Sequence, residues 1–400
     1  MNLNTFRLLK TDTNSKARLG ELTTPHGRVP TPTFIPVASQ GTIKTLTPEE
    51  VKDIGFGIAL ANTYHLYLRP GISVIEKFGG LHRFMAWEQA ILTDSGGYQI
   101  FSLARLRQVN DEGVTFRSHI DGSEHLITPE LAIRLQESLG SDIIMVLDEC
   151  PAPDDSLKST QAAVKRTHLW AERSLKTHQR HDQVLYAIVQ GGVFPQLRRQ
   201  SAEYLTSLDF SGFAIGGLSL GEPKRLTKEM IETTVTWLPE NKPRYLMGAG
   251  SPEDIIEGVA RGIDLFDSAL PTRVARNGAL FTGQGRVDVC NAMYRQMERP
   301  VDPDCDCYTC RTFSAAYLHH LFNSEELLAY RLATMHNLTF IARLTQKIRD
   351  AISNATFNSF KEEFLARYQP TNEPVRLEQK RKWNRTRDLK GSSNYPNHRQ

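Results

Sequence analysis

The sequence predicts an α/β protein built as a (β/α)8 barrel of TIM type, with insertions and a separate C-terminal subdomain. Three observations carry this expectation. Eight short, nearly continuous apolar runs recur along residues 33–266, as expected of parallel strands covered on both faces. Helical patterns lie between many of them, which favours a closed barrel over an open sheet. After residue 290 the strand rhythm stops and a cysteine cluster begins.

In chain order the runs are TFIPVA (33–38), FGIALA (56–61), AILT (90–93), DIIMVL (142–147), VLYAIV (184–189), FAIG (213–216), RYLM (244–247) and GIDLF (262–266). Between them, TPELAIRLQESLG (128–140) carries a Thr cap, Pro at the first helical position and Gly at its end, the signals that start and stop a helix. Further helices are predicted over 158–179, 195–208, 224–237 and 252–261. TFRSHIDGSEHLIT (115–128) alternates around Asp121-Gly122, a hairpin signal, and reads as an insertion near 101–128. The domain reading is therefore a catalytic barrel over 1–290, a helical subdomain over 291–370 that completes it, and a tail over 371–400.

Composition sets the class. Hydrophobic residues make up 40% of the 400 and charged residues 23%, ordinary for a globular chain. No apolar run approaches the ~20 residues of a membrane span, and the first twenty residues lack the apolar centre of a signal peptide. The cytoplasm is the expected compartment, with no membrane partner. Net charge is +3, and the excess sits in the tail. Residues 371–400 hold eight Lys/Arg against three acids. Its few apolar residues cannot pack a core, so it reads as a solvated extension or a sequence-independent phosphate contact.

In a barrel of this type, chemistry sits at the C-terminal strand ends. Those ends read Asp94-Ser95-Gly96-Gly97-Tyr98-Gln99, Asp148-Glu149-Cys150, Gln190-Gly191-Gly192, Gly216-Gly217-Leu218, Met247-Gly248-Ala249-Gly250-Ser251, and Asp267 followed by Pro271-Thr272-Arg273. Three aspartates thus converge on one mouth among glycine turns that let backbone N–H groups approach a ligand. One carboxylate can attack carbon while a second moves protons. A third can accept the paired N–H donors of a guanine edge, and Gln190 with a backbone N–H near Gly217 can serve a carbonyl oxygen. The pattern suits N-glycosidic chemistry on a purine-like base and also admits other sugar chemistry.

Five cysteines occur, three of them as Cys305-x-Cys307-x-x-Cys310. An odd count clustered this way argues for metal rather than disulfides. With His336 as fourth ligand the set is a closed tetrahedral Zn²⁺ site, one per chain and structural, because no position stays open for substrate. His319 and His320 are nearer alternatives in sequence. Cys150 and Cys290 read as plain buried cysteines.

Taken together, DSGGYQ (94–99), MVLDEC (145–150), IVQGG (188–192), AIGGL (214–218), YLMGAGSPEDI (245–255), FDSALPTRVARNG (266–278) and C-x-C-x-x-C…H resemble the queuine tRNA-ribosyltransferase family, the bacterial-type tRNA-guanine transglycosylases, over roughly residues 5–370. The resemblance implies exchange of guanine at wobble position 34 of GUN-anticodon tRNAs (Asp, Asn, His and Tyr) for a 7-deazaguanine, in queuosine biosynthesis. It implies Asp267 as the nucleophile on ribose C1′ and Asp94 as general acid/base. It places Asp148, Gln190 and Gly217 on the base, with Ser95, Gly96, Gly97 and Leu218 beside them and Tyr98 and Met247 sandwiching it. The reacting nucleotide must leave its stack. Gly248, Ala249, Gly250, Ser251, Pro252, Glu253 and Asp254, with Thr272, Arg273, Val274, Ala275 and Arg276, would hold the anticodon loop, where RNA sequence is usually read. The resemblance also implies a homodimer.

Two departures flank the implied base pocket. ECPAPDD follows Asp148 where an aromatic is expected before the second proline, and Ser219-Leu220 replaces smaller apolar residues. They leave open whether the incoming base is preQ1 or queuine. The competing reading is a non-catalytic tRNA-binding subunit of the same fold, which the presence of both Asp94 and Asp267 opposes. A metal-dependent barrel hydrolase would need several strand-end histidines, and only His65 lies near one.

Overall fold

The structure is a computed structural model and describes residues 5–103, 107–375 and 377–378. Its centre is an eight-stranded parallel sheet. We label the strands β1 (Thr33–Pro36), β2 (Ile58–Asn62), β3 (Ala90–Asp94), β4 (Ile143–Met145), β5 (Val184–Val189), β6 (Gly212–Ile215), β7 (Arg244–Leu246) and β8 (Leu265–Ser268). Each pairs with its neighbours in chain order, and β8 returns to β1 with Asp267 beside Ile35. Between β1 and β2 the seam narrows to one parallel bridge, Val37 with Leu60. The barrel is therefore nearly closed, as the apolar runs predict.

The strands are apolar on both faces because one face fills the barrel and the other meets the helices. Phe34, Ile35, Ile91, Leu92, Ile188, Phe213, Ala214, Tyr245 and Phe266 are all buried. Full burial of each large apolar side chain is worth roughly 1.5–3 kcal/mol. The helices fall where their caps place them. Thr128 accepts the Leu131 N–H and Gly140 closes Pro129–Leu139 at φ 71°, a backbone conformation that glycine reaches without a Cβ clash.

The latest start relative to its apolar run is that of β8. β8 begins at Leu265, not 262, because Gly262 turns the chain at φ 90°. Buried Asp264 is also committed to the foot of the barrel, where its carboxylate accepts from Arg18 Nε (2.8 Å), from Arg18 Nη2 and from the Arg244 N–H (2.7 Å). Arg18 comes from an N-terminal antiparallel sheet (Thr5–Thr11, Arg18–Thr24, Gly27–Thr31) that the sequence reading did not anticipate. At the same foot, His26 and His82 stack with ring centroids 3.5 Å apart. Both point at the Asp142 carboxylate, at 2.7 and 3.2 Å. The expected insertion between β3 and β4 is a three-stranded sheet (Arg107–Val109, Val114–Arg117, Glu124–Ile127).

Past residue 290, the long helix Leu327–Ser353 packs against β1 and against the helix Leu270–Ala275 that follows Asp267. Buried Asn337 joins them: its amide donates to the Pro271 and Ala279 carbonyls, and its oxygen accepts the Phe281 N–H. The C-terminal helix thus fixes the rim next to Asp267. Most of the basic tail lies outside the described residues. No helix among the described residues is long and apolar enough to cross a membrane.

Candidate active site and metal centre

Asp94 ends β3 in register with Asn62, the last residue of β2. Its carboxylate accepts from the Asn62 amide, from the Gln99 amide at 2.7 Å and from the Thr63 N–H at 3.1 Å. Burial dominates its electrostatics and pushes its pKa up to about 6, with the Asp267 charge adding to that and the three donors opposing it. A carboxyl group in that range both gives and takes a proton near neutral pH.

The turn after Asp94 needs its glycines. A Cβ on Gly96, at φ 85°, would meet Tyr64 at 3.1 Å, and one on Gly97 would meet the Asp148 carbonyl at 2.8 Å. That close approach seats the 95–98 turn against Asp148. Ser95 is buried and Tyr98 is exposed.

Asp148 lies beyond the end of β4, and its carboxylate accepts from Gln190 Nε2 at 2.7 Å. Burial raises its pKa to about 6, helped by the charges of Asp94 and Glu149. The other amide atom, Gln190 Oε1, is buried without a hydrogen bond. Gln190 lies flat on the Gly216-Gly217 turn, where added Cβ atoms would stand 2.5 and 2.4 Å from its amide. Leu218 is buried behind that turn.

Asp267 sits on β8, and its Oδ1 accepts from the Tyr245 hydroxyl (2.6 Å) and the Gly248 N–H (2.8 Å). Burial raises its pKa and both donors pull it back. Asp94 and Asp148 are buried, whereas Asp267 stays partly open to solvent. Of the three carboxylates it is the one an approaching substrate meets most directly. The Asp94 carboxylate feels the Asp267 charge, and Asp148 feels that of Asp94. The three therefore form one electrostatic unit at the C-terminal mouth.

The expected RNA-contacting segments border this unit. Gly250 packs so tightly on β8 that a Cβ would stand 2.4 Å from that of Ser268. Ser251 caps the helix Pro252–Ala260, and Glu253 and Asp254 both pair with Lys224. Met247 is half-buried and Gly248 exposed, whereas Ala249 and Pro252 are buried. Beyond Asp267, Arg273 is exposed and Arg276 half-buried, while Thr272 and Ala275 turn into the core and Val274 is half-buried against it. Of residues 272–276, Arg273 is the exposed one.

Sequence reasoning passed over Asn62, Gln99 as an Asp94 partner, and Tyr245. Asn62 was legible as a polar strand end opposite Asp94. Tyr245 lies within an apolar run and reads as core; only the fold aims its hydroxyl at Asp267.

Cys305, Cys307, Cys310 and His336 meet with all their ligand atoms within 4.8 Å of one another. His336 Nδ1 lies 3.7, 3.5 and 3.3 Å from the three Sγ atoms. Tetrahedral Zn–S and Zn–N bonds require about 3.6 Å between S and N. His336 Nε2 is 2.7 Å from the Phe281 carbonyl, a partner that leaves Nδ1 unprotonated and free to ligate. His319 is spent elsewhere, with Nδ1 on the Val289 carbonyl at 2.9 Å. The four residues fit a metal ion, and Phe281 links them to the strand that leaves the Asp267 rim.

The family profile described as queuine tRNA-ribosyltransferase matches residues 12–370. A protein of that name from Dehalococcoides mccartyi is 61% identical over 378 residues, covering 94% of this chain and 96% of the relative. Its namesake from Moorella thermoacetica is 56% identical over 364 residues, covering 91% and 98%, and that from Halothermothrix orenii is 53% identical over 363 residues, covering 91% and 97%. With its strand-end carboxylates and Cys3His cluster in place, the chain belongs to the queuine tRNA-ribosyltransferase family.

Proposed function

We propose that this protein is a tRNA-guanine transglycosylase that exchanges guanine at wobble position 34 of GUN-anticodon tRNAs for a 7-deazaguanine by double displacement. The observation that carries this reading is the Asp94–Asp267 pair: an accessible carboxylate held by two donors beside a buried one whose pKa lies at about 6.

In the first displacement an Asp267 oxygen bonds to ribose C1′ as the C1′–N9 bond breaks. The bonding pair leaves with guanine, and Asp94 supplies the proton. The second displacement runs in reverse. Asp94 takes the N9 proton of the incoming base, whose nitrogen bonds to C1′ and releases the Asp267 carboxylate. Placing the proton carrier's pKa near the working pH favours both halves. Keeping Asp267 ionised as a nucleophile is the work of Tyr245 and the Gly248 N–H. Asp148 and Gln190 read the guanine edge, the Gly217 N–H serves the carbonyl, and Arg273 and Arg276 hold the anticodon loop. Zn²⁺ on the Cys3His group is structural: when bound, it locks 305–310 to the helix that carries Asn337 and thereby the Asp267 rim. The incoming base is preQ1 or queuine, and the working unit is a cytoplasmic homodimer.

The test is incorporation of radiolabelled guanine into a GUN-anticodon tRNA, with Asp267→Asn as control. Incorporation that the variant loses supports the enzyme. Folded, metal-loaded protein that binds tRNA and incorporates nothing supports the silent-subunit reading instead.

A further inference from the structure

Behind the Gly216-Gly217 turn lies a buried cation that the chemistry above does not use. Arg198, on the helix Pro195–Thr206, has 0% of its surface exposed. Its Nε donates to the Gly192 carbonyl at 2.9 Å, and Nη1 donates to the carbonyls of Val189 at 3.0 Å and Gly216 at 2.8 Å. Nη2 makes no hydrogen bond and sits 3.6 Å from where a Gly217 Cβ would be. Burying a charged guanidinium is unfavourable unless its donors are satisfied, and here three carbonyls at two strand ends satisfy Nε and Nη1. The Glu222 carboxylate and the neutral Cys150 thiol are its electrostatic neighbours. That carboxylate accepts the N–H groups of Ser219, Leu220 and Gly221.

We propose that Arg198 is a positioning residue for base recognition: by holding and polarising the Gly216 carbonyl, it aims the Gly217 N–H at the carbonyl oxygen of the bound base. The inference rests on the base-exchange reading and deepens it. A trans peptide points its C=O and N–H in opposite directions, so a donor fixed on the Gly216 oxygen fixes the direction of the Gly217 N–H. The anchor is needed because the peptide joins two glycines, the second at φ 68°, and such a link rotates with little steric cost. A cationic donor on the oxygen also strengthens the N–H as a donor, since hydrogen bonds in series polarise one another. As the C1′–N9 bond breaks, negative charge spreads from the leaving base onto its carbonyl oxygen, where a preorganised N–H is most effective. The same guanidinium spaces the β5 and β6 ends, which keeps Gln190 flat against the turn.

The experiment compares wild type with Arg198→Met and Arg198→Lys, using guanine and 6-thioguanine as free bases. The thiocarbonyl keeps the ring N–H donors and weakens the acceptor. Wild-type incorporation of guanine into tRNA first establishes the underlying reading; its failure sinks that reading and this one with it. With wild type active, Arg198→Met is expected to raise the guanine KM and lower kcat by about 10- to 100-fold, with the tRNA Kd and metal content unchanged. Its preference for guanine over 6-thioguanine should collapse toward parity. Arg198→Lys should recover part of the rate by restoring one charged donor. If both bases weaken equally, or if the Arg198→Met and Arg198→Lys enzymes keep the wild-type preference, Arg198 merely packs the barrel and the proposal is wrong. Should Arg198→Met fail to fold, the same comparison on Arg198→Lys decides: an unchanged preference overturns the proposal and a narrowed one supports it.

Discussion

Replacing Asp94 with asparagine should make the protein inactive and more stable at once. In the folded chain, burial moves the Asp94 pKa from its usual 3.8 to about 6, against the pull of Asn62, Thr63 and Gln99. A displacement of that size corresponds to about 3 kcal/mol. For a carboxyl group raised on folding, the proton is held more tightly in the native state. The native state is therefore relatively favoured below the unfolded pKa, and that advantage is lost as pH climbs through about 6. Above that point the wild type carries the whole cost of an ionised buried carboxylate, and Asp94→Asn does not. Part of that cost is the repulsion from Asp267, already contained in the raised pKa; the amide also relieves Asp148, whose pKa the Asp94 charge raises. Against this, Asn62 and Gln99 both donate to Oδ2 and the Thr63 N–H donates to Oδ1, so the new NH2 either turns both amides or faces the Thr63 N–H. The ionisation cost is about 3 kcal/mol at pH 8 and about 1.6 kcal/mol at pH 5, so a net gain of about 1–2 kcal/mol at pH 8 shrinks to about zero at pH 5. Thermal unfolding of both proteins at the two pH values, beside guanine incorporation and tRNA binding at pH 8, measures each part. A variant less stable than wild type at pH 8, or a gain that grows toward pH 5, would refute the electrostatic argument. Normal exchange by the variant would remove Asp94 as proton carrier.

The remaining predictions concern the nucleophile, the metal and the tail. Asp267→Asn should bind tRNA yet form no covalent adduct, so a protein–RNA band that survives denaturing electrophoresis in this variant would contradict its role. Cys307→Ala should lose the bound metal, measured by atomic absorption, and lower the melting temperature by several degrees, because the freed His336 and thiols no longer hold the Asn337 helix against the rim. Unchanged metal content would contradict it. Removing residues 371–400, which carry eight Lys/Arg against three acids, should weaken tRNA binding most at low salt and flatten its salt dependence. Equal affinity at 50 and 200 mM salt for the full and shortened chains would make the tail a bystander.

Much of the site was legible because barrel topology converts sequence position into place. Once eight apolar runs are read as parallel strands, every residue just past a run belongs to one rim, which is how Asp94, Asp148 and Asp267 fall together. The zinc-type spacing was equally legible for its three thiols, since they lie within six positions. The fourth ligand was not. His319, His320 and His336 are chemically equivalent in the sequence, and the choice rests on which imidazole the fold brings among the three thiols, with a carbonyl on its far side. His336 finds Phe281, whereas His319 is taken by Val289.

By itself, then, the sequence determined the alternation of strands and helices, the glycines that permit close turns, and the set of carboxylates and thiols. These follow from local periodicity and chemical type. Tertiary structure alone decided which groups those side chains would meet. The pairing of Tyr245 with Asp267, Asn62 with Asp94, Arg18 with Asp264 and Arg198 with Gly216 joins residues 18 to 246 positions apart. Such pairings depend on how the barrel closes and on which polar groups are stripped of water when it does. Local sequence carries no record of either.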